Sequence, residues 1–267
     1  MIRITLAGCT GWVGKGLVAA IAAAPDLALV AGVSRKAAGR DLGEAAGLPA
    51  NGLPVFASVE EALAIPSDVL IDYTKPDSVK GNVLAAVAAG RHVVVGASGM
   101  TGEDYAEIDA AAKAAGVGVL AAGNFSVTAT LLRRFAREAA KYVPDVEIID
   151  YASAAKPDTP SGTGRELAET LGAERMAGTA KPVAELGGVR ETRGGAIGAP
   201  NPVQVHSVRM PGFVLSCEAL FGLPDERLVI RHDAGSSAAP YVGGTLLAAR
   251  RVAEQAGLRR GLDSLMG

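Results

Sequence analysis

The 267-residue chain reads as an α/β protein, with an N-terminal doubly wound parallel sheet and a C-terminal α+β domain that holds a mixed sheet. Three observations predict this. Short apolar runs alternate with helical patterns from residue 2 to residue 121, the rhythm of strands joined by crossover helices. The first run, IRITLA, leads straight into Gly8-Cys9-Thr10-Gly11-Trp12-Val13-Gly14 and then a helical pattern, which is the first turn of a Rossmann-type sheet. From 195 to 233 the pattern is β, broken by Gly, Pro and Asp, and fits an antiparallel or mixed sheet.

Residues 2–7 form the first strand, and a helix runs from the glycine turn through Ala24. Residues 27–33 (LALVAGV) give a second strand, 55–56 a brief third, and 58–64 a short capped helix. VLIDY at 69–73 is a buried strand, ended by Pro76. Residues 78–89 and 104–115 read as helices stopped by Gly90 and Gly116, since glycine favours the left-handed turn past a helix end. Strands follow them at 92–95 and 117–121. After Asn124 the character changes, with a helix at 127–142, a strand at 146–151 and a helix at 162–170. Strands at 203–208, 213–220 and 227–232 precede a last helix at 241–256. Residues 171–200, rich in Gly and Ala and weakly periodic, read as a mobile loop. The expected domains are 1–123, with 234–267 packing back on it, and 124–233, the substrate domain.

Aromatic residues are only 4% against 49% hydrophobic, a balance that suits a buried parallel sheet. A net charge of −2 with scattered Lys and Arg gives no basic face for nucleic acid or a membrane surface. Cys9 and Cys217 make no metal spacing, and no metal is expected. The start lacks the pattern of a signal peptide, and no apolar run is long enough to span a bilayer. The expectation is a soluble cytoplasmic protein acting on a small molecule.

In the turn Gly8, Thr10, Gly11, Trp12, Val13 and Gly14, small residues let the backbone approach a pyrophosphate, whose charge sits at the helix N-terminus. The second strand ends in Ser34-Arg35-Lys36. Dinucleotide folds that select NAD usually carry an acid there. Two cations instead suit the 2′-phosphate of NADPH, with NADH still possible. The same pair also suits a solvated surface. Thr74, Gly96 and Ser98 follow later strands and can line the nicotinamide, and Asn124 with Phe125 closes the domain. Each of these can equally be turn chemistry. Three such turns at successive strand ends favour a ligand.

The stretch EIIDYASAAKPDTPSGTGRELAET at 147–170 is the most informative in the chain. Lys156 lies five residues before Ser161-Gly162-Thr163, which open a helix. Amides at a helix start, joined by Ser and Thr hydroxyls, make a carboxylate pocket. The lysine adds a cation and a proton. The bland alternative is an ordinary loop with a capped helix.

Taken together, AGCTGWVG, IDYTKP, VGASG, AGNFSV, EIID…KPDTPSGT, RGGAIG and LVIRH, in this order, resemble the dihydrodipicolinate reductase family over nearly the whole chain. The resemblance implies hydride transfer from NAD(P)H to an unsaturated nitrogen ring with two carboxylates, in lysine and diaminopimelate biosynthesis. It implies a Rossmann domain, and a second domain whose sheets build a homotetramer. Lys156 matches the family's catalytic lysine, and Gly162 and Thr163 match its carboxylate-binding pair. Gly8, Gly11 and Gly14 match its glycine turn, and Arg35 a cofactor-binding arginine. Gly96 and Ser98 match the loop under the nicotinamide, and Asn124 and Phe125 the hinge segment.

The chain departs from the family at the pocket. Where the family writes E-A-H-H-x-x-K-x-D-A-P-S-G-T-A, this chain runs from Asp150 and Tyr151 through Ala152 and Ser153 to Lys156, and ends in Gly164. Both histidines are replaced, and Cys217 stands at a third family histidine. Ser153 offers a neutral hydrogen bond to substrate, and Ala152 offers none. Positioned proton donors are worth about 10²–10⁴-fold in rate. Either Lys156 acts alone or the substrate differs. Tyr151 is a substitute donor if its strand turns it inward, and Arg193 and Arg209 are candidate carboxylate clamps. His92 reads as structural, His206 is open to approaching the pocket from another face, and His232 is open between cofactor contact and packing. Two alternatives to the reductase stay open: a paralogue that reduces another cyclic imine, and an NADPH-binding paralogue without catalysis.

Overall fold

A computed structural model describes residues 1–156, 158–179, 181, 185–188 and 195–266. The chain divides into two compact units, Met1–Val127 with Ala238–Gly267, and Thr128–Ser237.

The first unit is a seven-stranded sheet. Its strands are β1 (Ile2–Ala7), β2 (Leu27–Val33), β3 (Val55–Phe56), β4 (Val69–Asp72), β5 (His92–Val95), β6 (Gly118–Ala121) and β12 (Gly257–Arg260). They lie in the order β12-β6-β5-β4-β1-β2-β3, with every pairing parallel. The order reverses between β1 and β4, and an open α/β sheet binds its ligands outside the strand ends at such a point. Here those ends are Ala7 and Asp72, which are paired.

The helices of this unit are α1 (Trp12–Ala23), α2 (Leu42–Ala46), α3 (Val59–Ala62), α4 (Pro76–Ala88), α5 (Gly102–Ala115) and α8 (Ala239–Arg251). β4 is buried along its whole length, because helices cover both faces of a parallel sheet. Ile4, Leu6, Leu17, Ile21, Ile71 and Phe125 share one core cluster, and Leu70, Val83, Val93, Ile108 and Val119 another.

Three local readings needed correction. Pro76 does not sit ahead of α4 but opens it, since proline's missing N–H costs nothing in the first helical turn. The last helix stops at Arg251, and the chain continues through one 3₁₀ turn (Val252–Glu254) into β12. That strand is fixed by distant partners: Gly257 takes φ 93°, its amide donates to Val117 O, and Leu258 N donates to Asp109 Oδ1. The short α2 was unanticipated, and Asp41 caps it by accepting from Glu44 N.

The second unit holds α6 (Val127–Ala140), β7 (Asp145–Ala152), α7 (Gly162–Glu174), β8 (Gly195–Ile197), β9 (Val203–Arg209), β10 (Leu215–Leu223) and β11 (Glu226–Ala234). Its five-stranded sheet runs β11-β10-β7-β9-β8. β7 and β9 are parallel and the other neighbours antiparallel, so the sheet is mixed. Along β7, Val146, Ile148, Asp150 and Ala152 are buried, while the residues between them are half-buried. Ile148 shares a core cluster with Leu132 and Ala136 of α6 and Leu167 and Leu171 of α7. Of the expected loop at 171–200, the ends are ordered elements: α7 runs on to Glu174, and β8 pairs with β9. Residues 180, 182–184 and 189–194 of that stretch lie outside the described residues. Among the described residues no helix is long and apolar enough to cross a membrane.

Candidate active site

In the first unit, the turn after β1 is built by close backbone approach. Gly8 takes φ +81°, and a Cβ there would lie 2.4 Å from Tyr73 O. A Cβ on Gly14 would lie 2.1 Å from Gly8 O. Gly11 is the N-cap of α1, which has no side-chain cap and no acid in its first turn. An uncapped helix start with bare amides fits an anion such as a pyrophosphate. Thr10 Oγ1 lies 2.9 Å from Ser34 Oγ and joins this turn to the end of β2. Arg35 and Lys36 follow and are exposed. Trp12 is 55% exposed, with its ring edge-on to Tyr241 at 5.5 Å. Val13 is half-buried against the core.

The next strand ends bring Thr74, Gly96 and Ser98. Asp72 is fully buried at the end of β4. It accepts from Thr74 N (2.7 Å), Thr74 Oγ1 (2.6 Å) and Asn82 Nδ2 (2.8 Å). Burial pushes its carboxyl up, against the lowering pull of those donors. Tyr73 packs between two loops, since a Cβ on Gly96 would lie 2.2 Å from its ring. Its hydroxyl is 2.6 Å from Thr245 Oγ1, and its ring tilts against Phe125 at 6.1 Å. Phe125 is 1% exposed, so its side chain belongs to the core. Asn124 Oδ1 accepts from Ser126 N, and Ser98 is exposed. Sequence reading missed Asp72 and Tyr73. A lone carboxylate closing the apolar run VLID was the available signal.

In the second unit, Lys156 Nζ lies 3.0 Å from Asp158 Oδ1, and both side chains are partly exposed. Burial raises the Asp158 carboxyl, but the Lys156 hydrogen bond and charge outweigh it and hold the group below its ordinary range. Lys156 N donates to Ser153 O in a turn, and Ser153 is half-buried. Ser161 is buried as the N-cap of α7. Its Oγ accepts from Gly164 N (3.1 Å) and donates to Asp150 Oδ1 (2.5 Å). Gly162 is exposed and Thr163 half-buried at the first two helical positions, where amides point out of the first turn.

The positions that the resemblance pairs with family histidines are mostly interior. Ala152 and Cys217 are fully buried, and burial, with Asp150 and Glu218 nearby, pushes the Cys217 thiol up to about 12. Only Ser153 keeps some exposure. Tyr151 does not replace them. It lies on the opposite face of β7 from Asp150 and Ala152, where its hydroxyl donates to Glu218 Oε1 at 2.8 Å under Arg231. The three histidines present all have structural partners. His92 Nδ1 accepts from Gly118 N, His206 Nε2 is 2.8 Å from Glu147 Oε2, and His232 Nδ1 is 3.0 Å from Thr128 Oγ1. Arg209 is committed inward, to Asp150 Oδ2 and three backbone carbonyls, which leaves no fork for a substrate carboxylate. Arg193 lies outside the described residues.

Family models match in order over most of the chain. Dihydrodipicolinate reductase, N-terminus, matches residues 2–125, and dihydrodipicolinate reductase, C-terminus, matches residues 128–266. A 4-hydroxy-tetrahydrodipicolinate reductase of Synechococcus elongatus is 37% identical over 274 residues, covering 99% of this chain and 98% of its own. One from Desulfitobacterium hafniense is 34% identical over 267 residues, with 99% and 98% covered. The solved dipicolinate-bound dihydrodipicolinate reductase of Paenisporosarcina sp. TG-14 superposes with a TM-score of 0.83 at 30% identity, covering 99% of both chains. An amine dehydrogenase of Mycobacterium smegmatis, at 16% identity and TM-score 0.66, shares the fold.

Proposed function

The chain belongs to the dihydrodipicolinate reductase family and is an NAD(P)H-dependent reductase of lysine biosynthesis; on that premise we propose that it reduces a cyclic unsaturated imine dicarboxylate with Lys156 as its one ionisable catalytic side chain. The observation that carries this reading is the pairing of Lys156 Nζ with Asp158 just ahead of the helix start at Gly162 and Thr163.

The bound dinucleotide supplies the hydride. Gly8, Thr10, Gly11, Trp12, Val13 and Gly14 cradle its pyrophosphate, and Ser34, Arg35 and Lys36 take its 2′-phosphate, which makes NADPH the preferred cofactor and NADH a weaker one. Thr74, held by Asp72, lines the nicotinamide end with Gly96, Ser98, Asn124 and Phe125. Phe125 contributes there through its backbone, because its ring is buried.

On the substrate side, the amides of Gly162 and Thr163 receive a carboxylate, and Ser153 adds a neutral hydrogen bond. Ser161 shapes this pocket from within, since its hydroxyl is bonded to Asp150 and Gly164. Lys156, oriented by Asp158, neutralises charge developing on the ring nitrogen or delivers its proton. Replacing Lys156 with Ala is expected to cut turnover about 10²–10⁴-fold while NADPH affinity stays within about twofold. Equal turnover in that variant removes Lys156 from the mechanism.

A second reading, a paralogue that reduces another cyclic imine, draws on Ala152, Ser153 and Cys217 at the family's histidine positions. We further propose a homotetramer and a cytoplasmic setting. Support for the first is Val229, 51% exposed beside Leu220 on the face of the second sheet that carries Tyr151. Support for the second is that Cys9 and Cys217 are both free thiols.

A further inference from the structure

Asp150 is fully buried at the end of β7. Its carboxylate accepts from Ser161 N (2.7 Å), Ser161 Oγ (2.5 Å) and Arg209 Nη2 (2.8 Å). A charge this far from water persists only when it is fully partnered. Its partners come from two distant points of the chain, the start of α7 and the end of β9. Arg209 reaches further, with Nη1 donating to Asp150 O (3.1 Å) and Nη2 to Asp158 O (2.6 Å). One ion pair therefore pins the strap at residues 150, 158 and 161, and Lys156 lies between the first two pins.

The same pair also fixes the first turn of α7. Ser161 gives its own amide to Asp150, and its hydroxyl serves Gly164 N. Gly162 and Thr163, the first two helical residues, lie between those two anchored positions. Gly164 makes the close approach possible, because a Cβ there would meet Asp150 Cγ at 3.1 Å.

We propose that Asp150 is the positioning residue of the substrate pocket: through Ser161 and Arg209 it sets the start of α7 and the Lys156 strap for a carboxylate-bearing substrate, with Gly164 as the residue that makes room. The inference rests on the reductase reading of this pocket. It touches no reacting atom, so its effect should appear in substrate affinity rather than cofactor affinity.

The test titrates pyridine-2,6-dicarboxylate into the NADPH-saturated full chain by calorimetry. Asp150→Asn is expected to weaken the probe at least about tenfold, the scale of one charge-assisted contact, with NADPH affinity within about twofold. Gly164→Ala keeps every polar group and replaces glycine by a better helix former. It is expected to weaken the probe by about threefold or more and to raise substrate KM with kcat nearly unchanged, without lowering Tm. A purely structural role predicts the reverse for that variant, a lowered Tm with probe affinity and KM unchanged. Wild-type probe affinity in both variants overturns the inference. If Asp150→Asn does not fold, Gly164→Ala decides alone, and unchanged affinity there overturns it. A wild-type chain that binds NADPH but not the dicarboxylate overturns the substrate reading and this inference with it, whereas intact wild-type binding with unaffected variants overturns this inference only.

Discussion

Thr10 Oγ1 and Ser34 Oγ lie 2.9 Å apart and tie the glycine turn after β1 to the end of β2. Ser34 is fixed again through its backbone, by N–H donation to Phe56 O and by accepting from Ala37 N. Arg35 and Lys36 thus leave an anchored residue and project into solvent. On the reading proposed above, these two cations take the 2′-phosphate of NADPH.

Arg35→Ala is expected to weaken NADPH binding about tenfold, since one hydrogen-bonded charge contact is worth roughly 1.5–3 kcal/mol. NADH binding should change by less than about twofold. Fluorescence titration with both cofactors checks this. An equal loss for the two would remove Arg35 from phosphate recognition.

Both thiols should be silent in the folded chain. Burial pushes Cys9 up to about 11, even though three backbone groups pull it down, and Cys217 up to about 12. The thiolate is the reactive form, so at pH 7.5 a maleimide is expected to label neither residue in the native protein and both after unfolding. Stoichiometric labelling of the native protein would contradict the burial of these sites.

His232 makes stability depend on pH. Burial pushes its imidazole down, with Asp233 pulling it back up. The folded chain therefore binds this proton less readily than the unfolded chain, and acid favours unfolding. The contribution is complete above the unfolded value of about 6.5 and is lost as pH falls from there through the lower native value. His92, also pushed down by burial, acts in the same sense. Urea unfolding at pH 7.5 and pH 5.5 should show a smaller acid loss in His232→Gln than in wild type. The same loss in both would show that His232 titrates alike in the two states.

Much of the nucleotide-binding sheet was legible in the sequence because its signals are local. Gly8 needs φ +81°, the run VLID is buried on both faces, and Gly116 ends α5 in a left-handed turn. β12 was hidden, because GLRR carries one apolar side chain and exists as a strand only through pairing with β6. The helix start after the lysine turn was equally plain, read at Gly162, where the structure begins it with Ser161 as N-cap. What surrounds it was not. Arg209 reaches Asp150 because β9 lies parallel to β7 in a register that sets Arg209 against Ala152, a relation between residues 59 apart that no spacing announces. The direction of Tyr151, left open by the sequence, is set by strand alternation, which puts it on the opposite face of β7 from Asp150.

The account centres on a reductase whose pocket relies on Lys156, with Ala152, Ser153 and Cys217 at the positions that the resemblance gives to histidine. The most direct measurement is steady-state NADPH oxidation with 4-hydroxy-tetrahydrodipicolinate, generated in situ by its coupled synthase. The account predicts saturable turnover of about 1 s⁻¹ or more, within the ordinary enzyme range. Tight NADPH binding with negligible turnover would contradict it, and would mean that the Lys156 pocket serves a different substrate.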